Sequence, residues 1–150
     1  MRMLTKSILL LVLCATSVMT VTRAVADEWP LAGGDFWEVT GVHIKDGGAL
    51  AYANFLAAEW RDNQEMAKTK GWIKGYKILG NAYARTGEPD LYLITITDHI
   101  PSGAEGEKRQ AEYMEWKKKT ISQMEKESGN RAEFREIGSN ELLQELVFRK

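Results

Sequence analysis

Three patterns predict an α+β domain in which a four-stranded antiparallel sheet is covered on one face by two helices. Residues 36–45 alternate with a period of two, and residues 49–67 repeat apolar and small side chains at three- and four-residue steps. The run LYLITIT at 91–97 is rich in β-branched and aromatic residues. The elements fall in the order strand, helix, strand, strand, helix, strand, which is the ferredoxin-like β-α-β-β-α-β arrangement.

Residues 1–26 have the three parts of a cleavable signal peptide. Arg2 and Lys6 supply positive charge, 8–18 is a short apolar run, and Ala24-Val25-Ala26 provides the small residues before a cut. The apolar run is too short for a spanning helix, which needs about 20 such residues. The expected location is therefore outside the cytoplasm, periplasmic or secreted, with no membrane contact once the leader is gone. Cys14 is the only cysteine and leaves with the leader, so neither disulfides nor thiol chemistry are expected. Of the 20 basic and 21 acidic residues, Arg2, Lys6 and Arg23 also leave, and the remainder is net acidic. That balance argues against a nucleic-acid partner, whose phosphates demand positive charge.

Residues 27–34 read as a lead-in with Pro30 and Gly33-Gly34, and 35–150 as one domain. In the first strand, 36–45, Trp37, Val39, Gly41 and His43 share one face, and Phe36, Glu38, Thr40, Val42 and Ile44 the other. Asp46-Gly47-Gly48 ends it. The first helix, 49–70, carries Ala49, Ala53, Leu56, Trp60, Asn63 and Ala67 on one stripe, and Gly71 stands where a helix-terminating glycine belongs. The second strand is 73–80, the third 91–97, and the loop between them holds Gly87 and Pro89. After a loop at 101–106, the second helix is expected over 107–127, with Met114, Ile121 and Met124 inward and Lys117-Lys118-Lys119 on a solvated face beside Glu115. The closing strand is 141–148. The helices cover only one face, so the apolar residues of the other call for a partner surface.

The stretches EVTGVHIK at 38–45, EWR at 59–61, GWIKGY at 71–76, DLYLITIT at 90–97 and SNELLQEL at 139–146 resemble the dimeric α+β barrel superfamily, and within it a branch of exported bacterial proteins. The resemblance implies a homodimer whose two sheets close into one barrel. It does not select an activity, because members include monooxygenases, haem-handling proteins and polyketide cyclases.

Two sets of candidate site residues follow. In the cyclases a histidine and a tyrosine do acid-base work, so His43 or His99 with Tyr76 or Tyr92 could form such a pair. A hydrogen-bonded structural histidine is the commoner outcome. Trp60, Asn63, Trp72 and Trp116 could line an apolar ligand pocket, although aromatic residues at these spacings usually form ordinary core. Two histidines without a cysteine are too few for a closed metal site, and 107–127 contains no histidine to serve as the axial haem ligand of the haem-degrading relatives. No metal or cofactor is expected. The expected function is an exported homodimer that binds a small apolar molecule. The alternative is a cofactor-independent monooxygenase or polyketide-cyclase-like enzyme acting on an aromatic compound.

Overall fold

Strand β1 (Leu31–Ile44) is the long inner strand on which the rest of the chain is assembled. The computed structural model describes residues 28–150, and the expected leader, 1–26, lies outside the described residues. Three more strands, β2 (Gly75–Gly80), β3 (Leu91–Thr97) and β4 (Arg135–Phe148), complete an antiparallel sheet of order β2-β3-β1-β4. The molecule is thus α+β with a four-stranded antiparallel sheet, as expected.

Pairing fixes which side chains share a face. Val42 lies opposite Leu91, Thr40 opposite Leu93, and Glu38 opposite Thr95 on β3 and Leu142 on β4. On the other face Val39 opposes Ile94, Trp37 opposes Ile96, and Gly41 opposes Tyr92. The expected division of the first strand therefore holds. It also settles strand three: Leu91 and Leu93 turn toward the helices, and Tyr92, Ile94 and Ile96 turn away.

The helices sit over the Val42 side. Helix α1 (Ala49–Phe55) runs through a π-helical turn, Leu56–Trp60, into α2 (Arg61–Thr69). Tyr52, Leu56 and Trp60 recur every four residues, which on a pure α-helix would drift around the axis. The π turn takes more residues per turn and offsets that drift. These three side chains and Val42 form the buried core cluster, with Ile44, Phe55, Tyr76, Leu91, Leu93 and Phe134 packed around it. Gly71 follows the helix at φ 69°, the left-handed conformation that glycine adopts without strain.

Four expectations change. β1 begins at Leu31, inside the expected lead-in, because a bulge between Gly33 and Phe36 lets the strand continue against the end of β4. β2 starts at Gly75, two residues later than expected. β4 starts at Arg135, six residues before the expected 141, and a second irregularity between Gly41 and Val42 accommodates its extra length.

The fourth change concerns the second helix, which is two helices: α3 (Gly103–Lys117) and α4 (Ile121–Asn130). The Ser102 hydroxyl caps α3 by accepting from the Glu105 amide, so the supposed loop 101–106 is largely the first turn of that helix. Lys118 then turns left-handed at φ 53°, and Thr120 with Gln123 forms a reciprocal capping box that restarts the chain as α4. The lysine run is accordingly not one solvated helix face. Lys117 reaches Glu59 at 3.5 Å and Lys119 reaches Glu127 at 2.6 Å.

Gly48 sits where the loop before α1 crosses the start of β4. A Cβ there would fall 2.4 Å from the Phe134 carbonyl oxygen and 2.9 Å from the Phe134 Cβ, neither of which can swing away. Gly106, inside α3, has nothing within 4 Å of the corresponding position. Gly48→Ala is expected to destabilise the fold by about 1–3 kcal/mol, as overpacking does. Gly106→Ala should stabilise it by roughly 0.5–1 kcal/mol through helix propensity. Urea denaturation of the two variants checks both signs.

Candidate functional site

The first turns of α3 stand over the part of the sheet that α1 and α2 leave bare, and a half-open cavity of about 420 Å³ lies between them. Its floor is Glu38, Thr95, Thr97 and Leu142, from three adjacent strands. Trp72 and Ile73, in the connection from α2 to β2, form one wall, and Ile100, Pro101 and Arg109 form the other. Asn140 and Glu141 of β4 make the rim. The lining is mostly apolar with a few polar groups, the usual composition of a small-molecule site.

Most of those polar groups are already engaged. The Thr95 hydroxyl donates to Gln64 Oε1 at 3.3 Å, and the Thr97 hydroxyl donates to the His99 carbonyl at 3.0 Å. The Thr40 hydroxyl donates to Asn140 Oδ1 at 2.9 Å. Arg109 donates through Nη1 to the Trp72 carbonyl at 3.2 Å and through Nη2 to Glu105, with its guanidinium 5.8 Å from the Trp72 ring centre. Glu38 makes no hydrogen bond or ion pair among the described residues.

Behind this wall is a charged relay at the end of β3. His99 Nδ1 lies 2.5 Å from Asp98, and Nε2 lies 3.1 Å from Glu105, the same carboxylate that holds Arg109. Only the doubly protonated imidazole can donate to both carboxylates. The Asp98 hydrogen bond, followed by that of Glu105, accordingly pushes the His99 pKa above its ordinary value. In return His99 holds both Asp98 and Glu105 below the usual carboxylate range, and Arg109 adds to the effect on Glu105.

The structure does not gather the expected acid-base residues. Tyr76 is on the helix side, where its hydroxyl donates to Glu65 at 2.5 Å, raising its pKa, and its ring meets Trp60 edge-on at 5.3 Å. Tyr92 is on the opposite face, across from Gly41 and one diagonal step from His43. His43 lies against Gly138 at the β1–β4 bulge, and His99 follows the far end of β3. Seven strand positions separate His43 from Phe36, which pairs with Thr97, two residues before His99, a span of roughly 23 Å. No hydrogen bond joins any two of these four residues.

The expected pocket residues are also dispersed. Trp72 lines the cavity just described. Trp60 is buried in the core and borders a second hollow of about 330 Å³ with Leu56, Tyr76 and Ile78. Trp116 is exposed beside Met66 and Lys70, over a shallow depression. Asn63 is half-buried on α2. The other ten lining residues of the Trp72 cavity, Glu38, Arg109 and Leu142 among them, were not singled out by the sequence. Arg109 had a legible signal, the i,i+4 pair with Glu105, once α3 is known to begin at Gly103.

Among the described residues, no group of three or more histidine, cysteine or acidic side chains converges as a metal would require, and no helix is long and apolar enough to cross a membrane. No known protein family, curated protein or solved structure matches the chain.

The relay makes stability depend on pH. A histidine whose pKa is raised on folding contributes stability fully below its unfolded value of about 6.5 and loses it as pH rises through the folded value. Asp98 and Glu105, with lowered values, contribute above about pH 4 and lose their contribution on further acidification. The melting temperature of the wild type should therefore exceed that of His99→Gln most clearly between about pH 5 and 6.5, and the gap should narrow toward pH 9. A gap that stays constant over that range would mean that His99 is not held as the imidazolium.

Proposed function

We propose that this chain is a subunit of a ferredoxin-like, dimeric α+β barrel protein, exported to the periplasm or secreted, that binds a small and largely apolar molecule. The observation that carries the binding reading is the cavity over Glu38, Thr95 and Leu142, walled by Trp72, Ile73 and Ile100. The barrel reading draws support from the strand order, with the first and third strands inside and the second and fourth at the edges. It also draws on the sheet face turned from the helices, which carries Trp37, Ile96, Leu143 and Val147, the last two each at least two-fifths exposed. A second copy would cover these side chains with the same set of its own.

Binding is favoured over the cyclase- or monooxygenase-like alternative for a specific reason. His43, His99, Tyr76 and Tyr92 are not lining residues of the cavity, so a substrate there would meet none of the expected acid-base groups.

Two measurements test the reading. Nile red, a neutral apolar dye, should show enhanced, blue-shifted emission with the wild type and lose it with Leu142→Trp, which fills the cavity from an exposed position. Equal uptake by the variant would place the dye elsewhere and remove the site. Sedimentation equilibrium at micromolar concentration should give the dimer mass, and Leu143→Asp should shift it to the monomer without unfolding the chain. A monomer that persists on concentration would exclude the barrel.

A further inference from the structure

We propose that the ligand of the cavity is a cation: an amine on an apolar body, with its ammonium group at Glu38 and its hydrocarbon against Trp72, Ile73, Ile100 and Leu142. The inference rests on the small-molecule reading above and adds the charge of the ligand.

The polar groups of the lining lead to it. Register places Glu38 at the centre of the floor, between Thr95 and Leu142, and Thr95 turns toward α2, where it reaches Gln64. Glu38, itself exposed to solvent, therefore lines the half-open cavity from the middle of a sheet, a position where a strand normally offers an apolar side chain to the helix layer. The hydroxyls of the floor and the guanidinium of the wall already have partners in the protein. Both hydroxyls are spent on Gln64 and the His99 carbonyl, and the Asn140 oxygen accepts from Thr40.

Arg109 is the one cation in the lining, and it does not turn the site toward anions. Its two terminal nitrogens are occupied by Glu105 and the Trp72 carbonyl, and its side chain is only 17 % exposed. Its charge is balanced by Glu105 within the wall. Lys74, next to the wall residue Ile73, pairs with Asp35 at 2.6 Å, and Lys77 lies over the Trp37 ring on the opposite sheet face. Glu141 at the rim adds a second negative charge. It lies opposite Val39, so its side chain belongs to the outer face, and Glu38 remains the one carboxylate aimed inward.

A ligand with a positive head would give Glu38 the charge-assisted partner that the protein does not supply. A carboxylate ligand would meet an unpaired like charge, and a neutral one would leave Glu38 to bulk water at the cavity mouth. The apolar walls then set the rest of the molecule: an aryl or branched alkyl group of a size that 420 Å³ admits.

The test uses three probes of matched shape, 2-phenylethylamine, 2-phenylethanol and 3-phenylpropanoate, titrated calorimetrically into the wild type and Glu38→Gln at pH 7 and low salt. The amine is expected to bind about fivefold or more tightly than the alcohol, a modest ratio because the site is half-open and screened. The acid should bind most weakly. In Glu38→Gln the amine should fall to the level of the alcohol while alcohol binding is retained, which also shows that the variant is folded. If alcohol and amine bind the wild type equally, or the preference survives in Glu38→Gln, the cavity binds small molecules but the charge assignment is wrong. If none of the three binds the wild type, both the cavity reading and the charge assignment fail.

Discussion

The contact between Val42 and the Tyr52–Leu56–Trp60 stripe is the constraint on which the rest of the molecule depends. Val42 is fully buried near the end of the inner strand β1, and Tyr52 is almost as completely enclosed. Tyr52 also stacks on Phe55 at 5.8 Å and meets Phe134 at 6.1 Å, so one aromatic side chain joins the first helix, the sheet and the entry to the last strand. Burial of that hydroxyl raises its pKa, the ordinary consequence of taking a phenol out of water. Each such side chain buries on the order of 150–250 Å². The first helix is thereby anchored over the Val42 end of β1 and cannot also cover the Phe36 end.

That placement produces the cavity. With α1 and α2 held over one half of the sheet, the other half is reached only by α3, which has no buried residue and is tied down mainly by charge. Lys70 pairs with Glu112 at 2.9 Å, Lys117 with Glu59, and Arg109 donates to the Trp72 carbonyl. A helix held by ion pairs at its flanks, instead of by apolar side chains pressed into the sheet, leaves space beneath it. The space is lined by a floor whose central residue, Glu38, would be a poor choice for a packed core. The same arrangement explains why Leu142, Leu146 and Phe148 on β4 stay exposed on the helix side.

The two sheet faces thus carry different chemistry. The helix face has one dry core and one half-open cavity. On the outer face Val39 and Ile94 are the buried apolar side chains among the described residues, sheltered in part by Trp37 and the Lys77 side chain that lies across its ring at 4.8 Å. The edge strand β4 presents large apolar side chains on both faces over its last seven residues, and edges of that kind are normally paired or covered. The homodimer proposed above would meet that requirement without disturbing the cavity floor.

Local pattern determined much of this protein. Strand alternation placed Trp37, Val39, Gly41 and His43 opposite Phe36, Glu38, Thr40, Val42 and Ile44, because alternation depends only on the geometry of a single element. Helical spacing found Leu56 and Trp60 of the stripe that packs on Val42 but also put Ala49 and Ala53, which are exposed, on it, and the π turn brought Tyr52 into their place. The break at Lys118 was in principle readable from Thr120 and Gln123, yet the apolar spacing of Met114, Ile121 and Met124 pointed across it. Of the candidate pocket residues, only Trp72 reached the cavity. Trp60 was absorbed by the core and Trp116 was left outside, since spacing along a helix cannot say which neighbour a face will meet. That Glu38 and Arg109 line one cavity was decided by tertiary structure. Whether a strand carboxylate is solvated, paired or left facing a hollow depends on strand register and on how far each helix reaches over the sheet, and both are set by contacts between residues distant in the chain.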